Sequence, residues 1–277
     1  MSLPVFTKTL LSTAVVATLS LGMVTQASAV PGVYEVTPNS LPGISGYTPF
    51  NADHASGTSS VLLTNTSLTT QSGQGYLRFS TFSLSGNQYE ATDTGLNLGG
   101  ANSYRLYLTF TESSQLTSGG LLNGQGVLTS LNYQFWADPG SNTTFNIANA
   151  ATGTGGTVTV NGADVLLGSG SLLTGVNGID PLNGAFLNAI TTMSLTADGS
   201  NFFTDPIPFF NLAFSEFNNT SQGITVSGSG TAVGDFVAIN QETGSVDFNK
   251  TPEPVSLALV GLGLLGLGVT RRRKIAA

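Results

Sequence analysis

Residues 252–277 confine the fold to what precedes them. They run Pro252-Glu253-Pro254, an apolar stretch from Val255 to Val269, then Arg271-Arg272-Arg273-Lys274 and three further residues. At ~1.5 Å of rise per residue the apolar stretch makes a helix of about 22 Å, short of the roughly 30 Å hydrocarbon core of a bilayer. The four basic residues behind it are held on the cytoplasmic side, so the segment is expected to stop transiently in the inner membrane with the rest of the chain exported. At the other end, Lys8, the apolar stretch Leu10 to Val24 and Ala27-Ser28-Ala29 read as a secretory signal peptide, with cleavage after Ala29. Three parts follow: a signal peptide at 1–29, an exported body at 30–250 and a sorting segment at 251–277.

The body carries Arg78, Arg105 and Lys250 as its only bases against 14 acids, a net charge of −11. Three isolated bases cannot form the cationic stripe that a phosphate backbone needs, which excludes nucleic-acid binding. The chain has no cysteine, so neither disulfides nor thiolate chemistry contribute. Packing and backbone pairing must hold it together.

Polar turns and short apolar alternations predict an all-β body. Strands are expected at Tyr76 to Leu84, Tyr104 to Thr111, Leu131 to Trp136, Thr157 to Val160, Asn211 to Phe217 and Ile224 to Val226. Leu131, Tyr133 and Phe135 alternate with Asn132, Gln134 and Trp136, the period of a half-buried strand. Asp138-Pro139-Gly140, Asn161-Gly162 and Asn183-Gly184 are turn signals. The expected architecture is an antiparallel β-sandwich, jelly-roll-like, flanked by the signal helix and the hydrophobic sorting helix. One short helix is expected at Phe186 to Met193. Gly153 to Gly170 reads as a pair of weak strands with loops, and Asn51 to Ser72 as a polar stretch around Val61-Leu62-Leu63.

The residues offer little conventional catalytic chemistry. His54 is the only histidine, no G-x-S-x-G elbow occurs, and one histidine without cysteine makes no structural zinc site. His54 is therefore expected as an exposed loop residue. Gly261, Gly263 and Gly266 spell G-x-G-x-x-G but lie inside the sorting helix, without the strand and βαβ unit the dinucleotide fingerprint requires. No catalytic residues and no bound cofactor are expected. Glu90, Asp93, Glu112 and Glu216 are the carboxylates available to an enzymatic alternative that cleaves glycosidic bonds. Calcium is a possible ligand at Asp138-Pro139-Gly140-Ser141-Asn142, which places two oxygen side chains on one turn. If Phe135 faces inward, Trp136 stands outside beside Asn132 and Gln134, an aromatic face with two amides suited to contact carbohydrate.

The Pro-Glu-Pro triplet, the short glycine-bearing helix and the basic end together resemble the PEP-CTERM sorting signal of Gram-negative bacteria. The resemblance implies processing by a membrane-embedded exosortase near Pro252-Glu253-Pro254, with Arg271, Arg272, Arg273 and Lys274 as the retained basic end. The chain as a whole is similar to flocculation-associated PEP-CTERM proteins. It shares the Val30-Pro31-Gly32-Val33 and Leu41-Pro42-Gly43 openings, the strand Tyr104 to Phe110 and the segment Phe135-Trp136-Ala137-Asp138-Pro139. That resemblance implies a non-enzymatic surface or matrix protein that helps cells aggregate within exopolysaccharide in flocs or biofilm. A polysaccharide-modifying enzyme and a monovalent carbohydrate-binding module are the alternatives.

Overall fold

The computed structural model describes residues 31–180, 184–219 and 223–249. The signal peptide with Ala27 and Ala29, and the sorting segment with its triplet, apolar helix and basic end, lie outside the described residues. Among the described residues no helix is long and apolar enough to cross a membrane.

Eight long strands dominate: β1 (His54–Asn65), β2 (Thr70–Leu84), β3 (Tyr104–Gly120), β4 (Asn123–Pro139), β5 (Val165–Asp180), β6 (Gly184–Thr192), β7 (Leu212–Asn219) and β8 (Phe236–Asn249). Each pairs antiparallel with its neighbour in this order, and β8 pairs back onto β1, so the sheet closes into a ring. The all-β, antiparallel expectation holds. The sandwich and jelly-roll expectation does not describe this ring, for which two separate sheets and non-sequential strand pairing would be needed. An up-and-down barrel removes sheet edges by closure, the problem a sandwich leaves partly open.

Period-2 alternation decides which side of each strand is buried. On β4 Leu131, Tyr133 and Phe135 point into the barrel, and Asn132 and Gln134 are exposed on its outside. On β3 Leu106, Leu108 and Phe110 point inward with Thr109 and Thr111 outward. The lumen is apolar and the outer wall polar, the reverse of a membrane-spanning barrel.

The ring is stoppered at one end. Three short strands, Tyr34–Val36, Phe50–Ala52 and Phe203–Asp205, form a small sheet next to the helix Ala197–Phe202. Tyr34 meets Phe248 edge-on at 5.2 Å between ring centroids and Phe203 at 5.7 Å, and Phe203 stacks on Phe209 at 5.2 Å. Both ends of the described body lie here: Gly32 donates its N–H to the Phe248 carbonyl at 2.9 Å.

Three local expectations are corrected. The predicted helix at Phe186 to Met193 is strand β6, because Leu187 and Ala189 fill the lumen while the backbone pairs with β5 on one side and β7 on the other. The polar stretch Asn51 to Ser72 is mostly strand β1, and Gly153 to Gly170 holds the expected two strands, of which the second is the start of the long strand β5 rather than a weak one; their glycines fit where neighbouring backbone comes close. At Gly57 a Cβ would lie 2.0 Å from the Arg78 carbonyl oxygen. His54 is the first residue of β1, not a loop residue, and its Nδ1 bonds to Asp247 on β8.

Candidate functional site

Between β4 and β5 the chain makes an excursion, residues 140–164, across the outside of the barrel. Its hairpin, Thr144–Asn146 paired with Thr157–Thr159, is fastened by aromatic contacts. Phe145 meets Tyr76 at 5.2 Å and Tyr107 at 5.4 Å, and the Arg78 guanidinium lies 5.7 Å from the Phe145 ring centre. Further along, the Ala148 N–H donates to Ser60 Oγ at 2.8 Å and Asn240 Nδ2 donates to the Ala148 carbonyl at 3.0 Å. Leu62, Ala148, Ala150 and Ala238 close a small second apolar cluster beneath it.

The returning limb of this excursion stands off from β3 and β4 and leaves a groove. One half, about 520 Å³, is floored by Gln74, Thr109, Thr111, Asn132 and Gln134 with Thr157 and Val158 as its wall. The other half, about 430 Å³, shares Thr109, Gln134 and Val158 and continues to Tyr107, Trp136 and Asp164. The structure thus brings Asn132, Gln134 and Trp136 to one outer face, as the alternation along β4 predicts. Asn132 and Gln134 are exposed; Trp136 is half-buried, its ring stacked on Tyr107 across the β3–β4 pair with centroids 6.5 Å apart and planes 13° from parallel.

Hydrogen bonds hold the Tyr107 end in place. Tyr107 donates its hydroxyl to Asp164 Oδ2 at 2.5 Å, and Thr143 Oγ1 donates to the same oxygen at 3.0 Å. Burial, together with that carboxylate, pushes the Tyr107 phenol well above its usual range, so it stays a neutral donor at any physiological pH. The groove is therefore a wall of amides and hydroxyls flanked by an aromatic pair, with the Asp164 carboxylate at the Tyr107 end. It can exchange hydrogen bonds with ring hydroxyls and present a π face, the two contacts by which sugars are oriented.

The other carboxylates considered in the sequence disperse. Glu90 precedes the short helix Ala91–Thr94 that contains Asp93, and both are exposed; Glu216 is exposed on β7, accepting from Asn218 Nδ2 at 3.0 Å. At the Asp138-to-Asn142 turn the Asp138 carboxylate is engaged by backbone N–H groups of the turn itself. Its Oδ1 accepts from the Asn142 N–H at 3.2 Å and Oδ2 from the Thr143 N–H at 3.0 Å, with Arg105 Nη1 4.0 Å away. Burial raises its pKa and those backbone donors oppose the rise.

Glu112 alone of that group turns inward, into a cavity it shares with a second carboxylate, Glu242. Glu112 and Glu242 both line the lumen, 5% and 4% exposed. Burial pushes Glu112 up to about 7. Burial also pushes Glu242 up to about 8; a hydrogen bond from Ser59 Oγ at 2.8 Å opposes the rise and the charge of Glu112 adds to it. The signal for Glu112 was present: continuing Leu106, Leu108, Phe110 by one more alternation places it inside. Glu242 carried no such signal, since it reaches the lumen through a bulge between Asn240 and Glu242.

No curated protein and no solved structure matches the chain significantly. A family model does match its end, over residues 250–274, and is described as the PEP-CTERM protein-sorting motif. The chain therefore carries, at residues 250–274, the sorting motif of exosortase substrates, which implies an exported protein.

Proposed function

We propose that the exported barrel is a non-enzymatic matrix protein that binds the exopolysaccharide of its own cells through the outer groove and so holds them in flocs or biofilm. The observation that carries this reading is the convergence of Asn132, Gln134 and the Trp136–Tyr107 stack on one open groove of amides and hydroxyls. A sugar chain laid along it exchanges hydrogen bonds with amides and hydroxyls while the aromatic pair supports a ring face. Such contacts are weak one at a time. Many sorted copies on one surface, each engaging the same polymer, sum to strong adhesion. The buried carboxyl pair offers no counter-argument for glycosidic cleavage, because the cavity beside it measures about 30 Å³, room for one or two waters and not for a sugar ring.

The test replaces Asn132 and Gln134 by alanine together, in a host lacking the native gene. Both side chains are exposed, so export and folding are expected unchanged, while retention on the host's purified exopolysaccharide falls about tenfold, the loss of roughly 1.4 kcal/mol, and cell settling slows. Retention and settling equal to wild type at equal surface amount would remove the groove from the explanation. Shortened polysaccharide in the wild type, absent from the deletion strain, would favour an enzyme.

A further inference from the structure

The groove on the outer wall carries a charge whose sign restricts which sugars can lie there. Among the described residues Asp164 is the only charged side chain lining either half, where it stands with Trp136, Tyr107 and Gln134. It is half-buried, and its two oxygens are used unequally. Oδ2 accepts from the Tyr107 hydroxyl at 2.5 Å and from Thr143 Oγ1 at 3.0 Å, whereas Oδ1 has only Thr143 Oγ1, at 3.3 Å. A carboxylate oxygen accepts from two donors, so Oδ1 keeps capacity for a strong one.

Among the described residues no base neutralises this end of the groove. Arg105 donates to the Thr143 carbonyl at 2.7 Å, and its guanidinium lies 4.0 Å from Asp138, a buried carboxylate close enough to feel the charge of Asp164. Arg78 is held over Phe145, 5.7 Å from that ring's centre. Two carboxylates against one guanidinium leave the Tyr107 end negative, on a body whose net charge is −11. A polymer bearing carboxylates or sulfates is repelled by such a surface. A sugar hydroxyl can donate to Asp164 but leaves its charge uncompensated. A protonated amine compensates it, and is drawn to the aromatic face of Trp136 as well.

We propose, on the reading of the groove as a polysaccharide site, that it selects an amino-sugar polymer whose amines are unacetylated and protonated. The sugar ring lies against Trp136, and its ammonium donates to Asp164. A charge-assisted hydrogen bond of this kind is about twice as strong as a neutral one. Acetylation removes the positive charge, so the acetylated polymer loses the advantage. Opposite net charges on protein and polymer also speed their encounter, an effect that salt weakens.

Trp136 is the only tryptophan of the chain, so its fluorescence reports on the groove without a label. The protein purified from its host is titrated at mildly acidic pH with hexamers of glucosamine, N-acetylglucosamine, glucose and galacturonate. The glucosamine hexamer is expected to bind about tenfold more tightly than the glucose and N-acetylglucosamine hexamers, and galacturonate to leave the emission unchanged. Asp164→Asn keeps an acceptor for Tyr107 and Thr143 and should bind the glucosamine and glucose hexamers alike. Glu216→Gln removes the same charge from the exposed face of β7, away from β3 and β4, and should keep the wild-type preference. Should Asp164→Asn fail to fold, the rank order of the wild type decides. Glucose, N-acetylglucosamine or galacturonate bound as tightly as glucosamine, a preference kept by Asp164→Asn, or one lost equally in Glu216→Gln would each overturn the amine assignment and leave the groove a sugar site. Silence of Trp136 toward every hexamer would overturn the groove reading itself, and this assignment with it.

Discussion

Glu112 and Glu242 show how much one side chain can govern. In the unfolded chain both release their protons near pH 4.5, whereas the barrel holds them to about 7 and about 8. A folded state that binds more protons than the unfolded one loses stability as pH rises. Their protonated contribution is therefore complete below about pH 4.5 and declines through 7 to 8, by on the order of 3 kcal/mol per carboxyl. His54 acts in the same direction: the hydrogen bond it donates to Asp247 raises its pKa, burial opposes, and the pair's stabilisation fades as pH rises above the imidazole's folded value. That pair is about a third exposed, so its share is small. Glu112→Gln is expected to exceed wild type in stability at pH 8.5 by about 2 kcal/mol, and to match or fall slightly below it at pH 5. Urea unfolding at the two pH values measures this; parallel pH profiles for the two proteins would show that Glu112 does not hold the buried proton.

At the scale of elements, β8 depends on one residue. Val237 and Ile239 point inward, and strict alternation would next send Gln241 into the lumen. Gln241 instead adopts φ 58°, the left-handed region, and the bulge hands the inward face to Glu242, Gly244, Val246 and Phe248. A non-glycine residue in that conformation costs roughly 1 kcal/mol or more, part of which glycine recovers. Gln241→Gly is accordingly expected to raise the urea midpoint by an amount equivalent to about 0.5 kcal/mol, and a lowered midpoint would mean that the exposed Gln241 side chain stabilises the bulge. Bulges of this kind are invisible to a period count, and so was β8. Strand β6 was misread for a related reason: the apolar run Phe186 to Ile190 suits a short helix as well as a strand, and only pairing with β5 and β7 decides between them. The groove residues of β4 were legible, because six alternating residues with large side chains leave no ambiguity about which face is which.

For the whole molecule, the position of the chain ends matters most. Gly32 and Phe248 are bonded to each other at the stoppered end, so both ends of the described body lie on one side of the barrel. Changing Pro252-Glu253-Pro254 to three alanines is expected to leave full-length precursor in the inner membrane with the folded barrel outside, as protease accessibility and the precursor's mass would show; normal mature protein beyond the membrane would remove the triplet from processing. The sequence by itself determined the sorting motif, the lack of thiol chemistry, the all-β character and the outward set Asn132, Gln134 and Trp136. These are properties of local order: charge, short-range hydropathy and a two-residue period. Closure of eight strands into a ring, the turn of Glu242 inward and its meeting with Glu112 were decided by tertiary structure alone. Each depends on which distant strands pair and in what register, and a closed sheet and a two-sheet sandwich place the same alternating residues on a buried face.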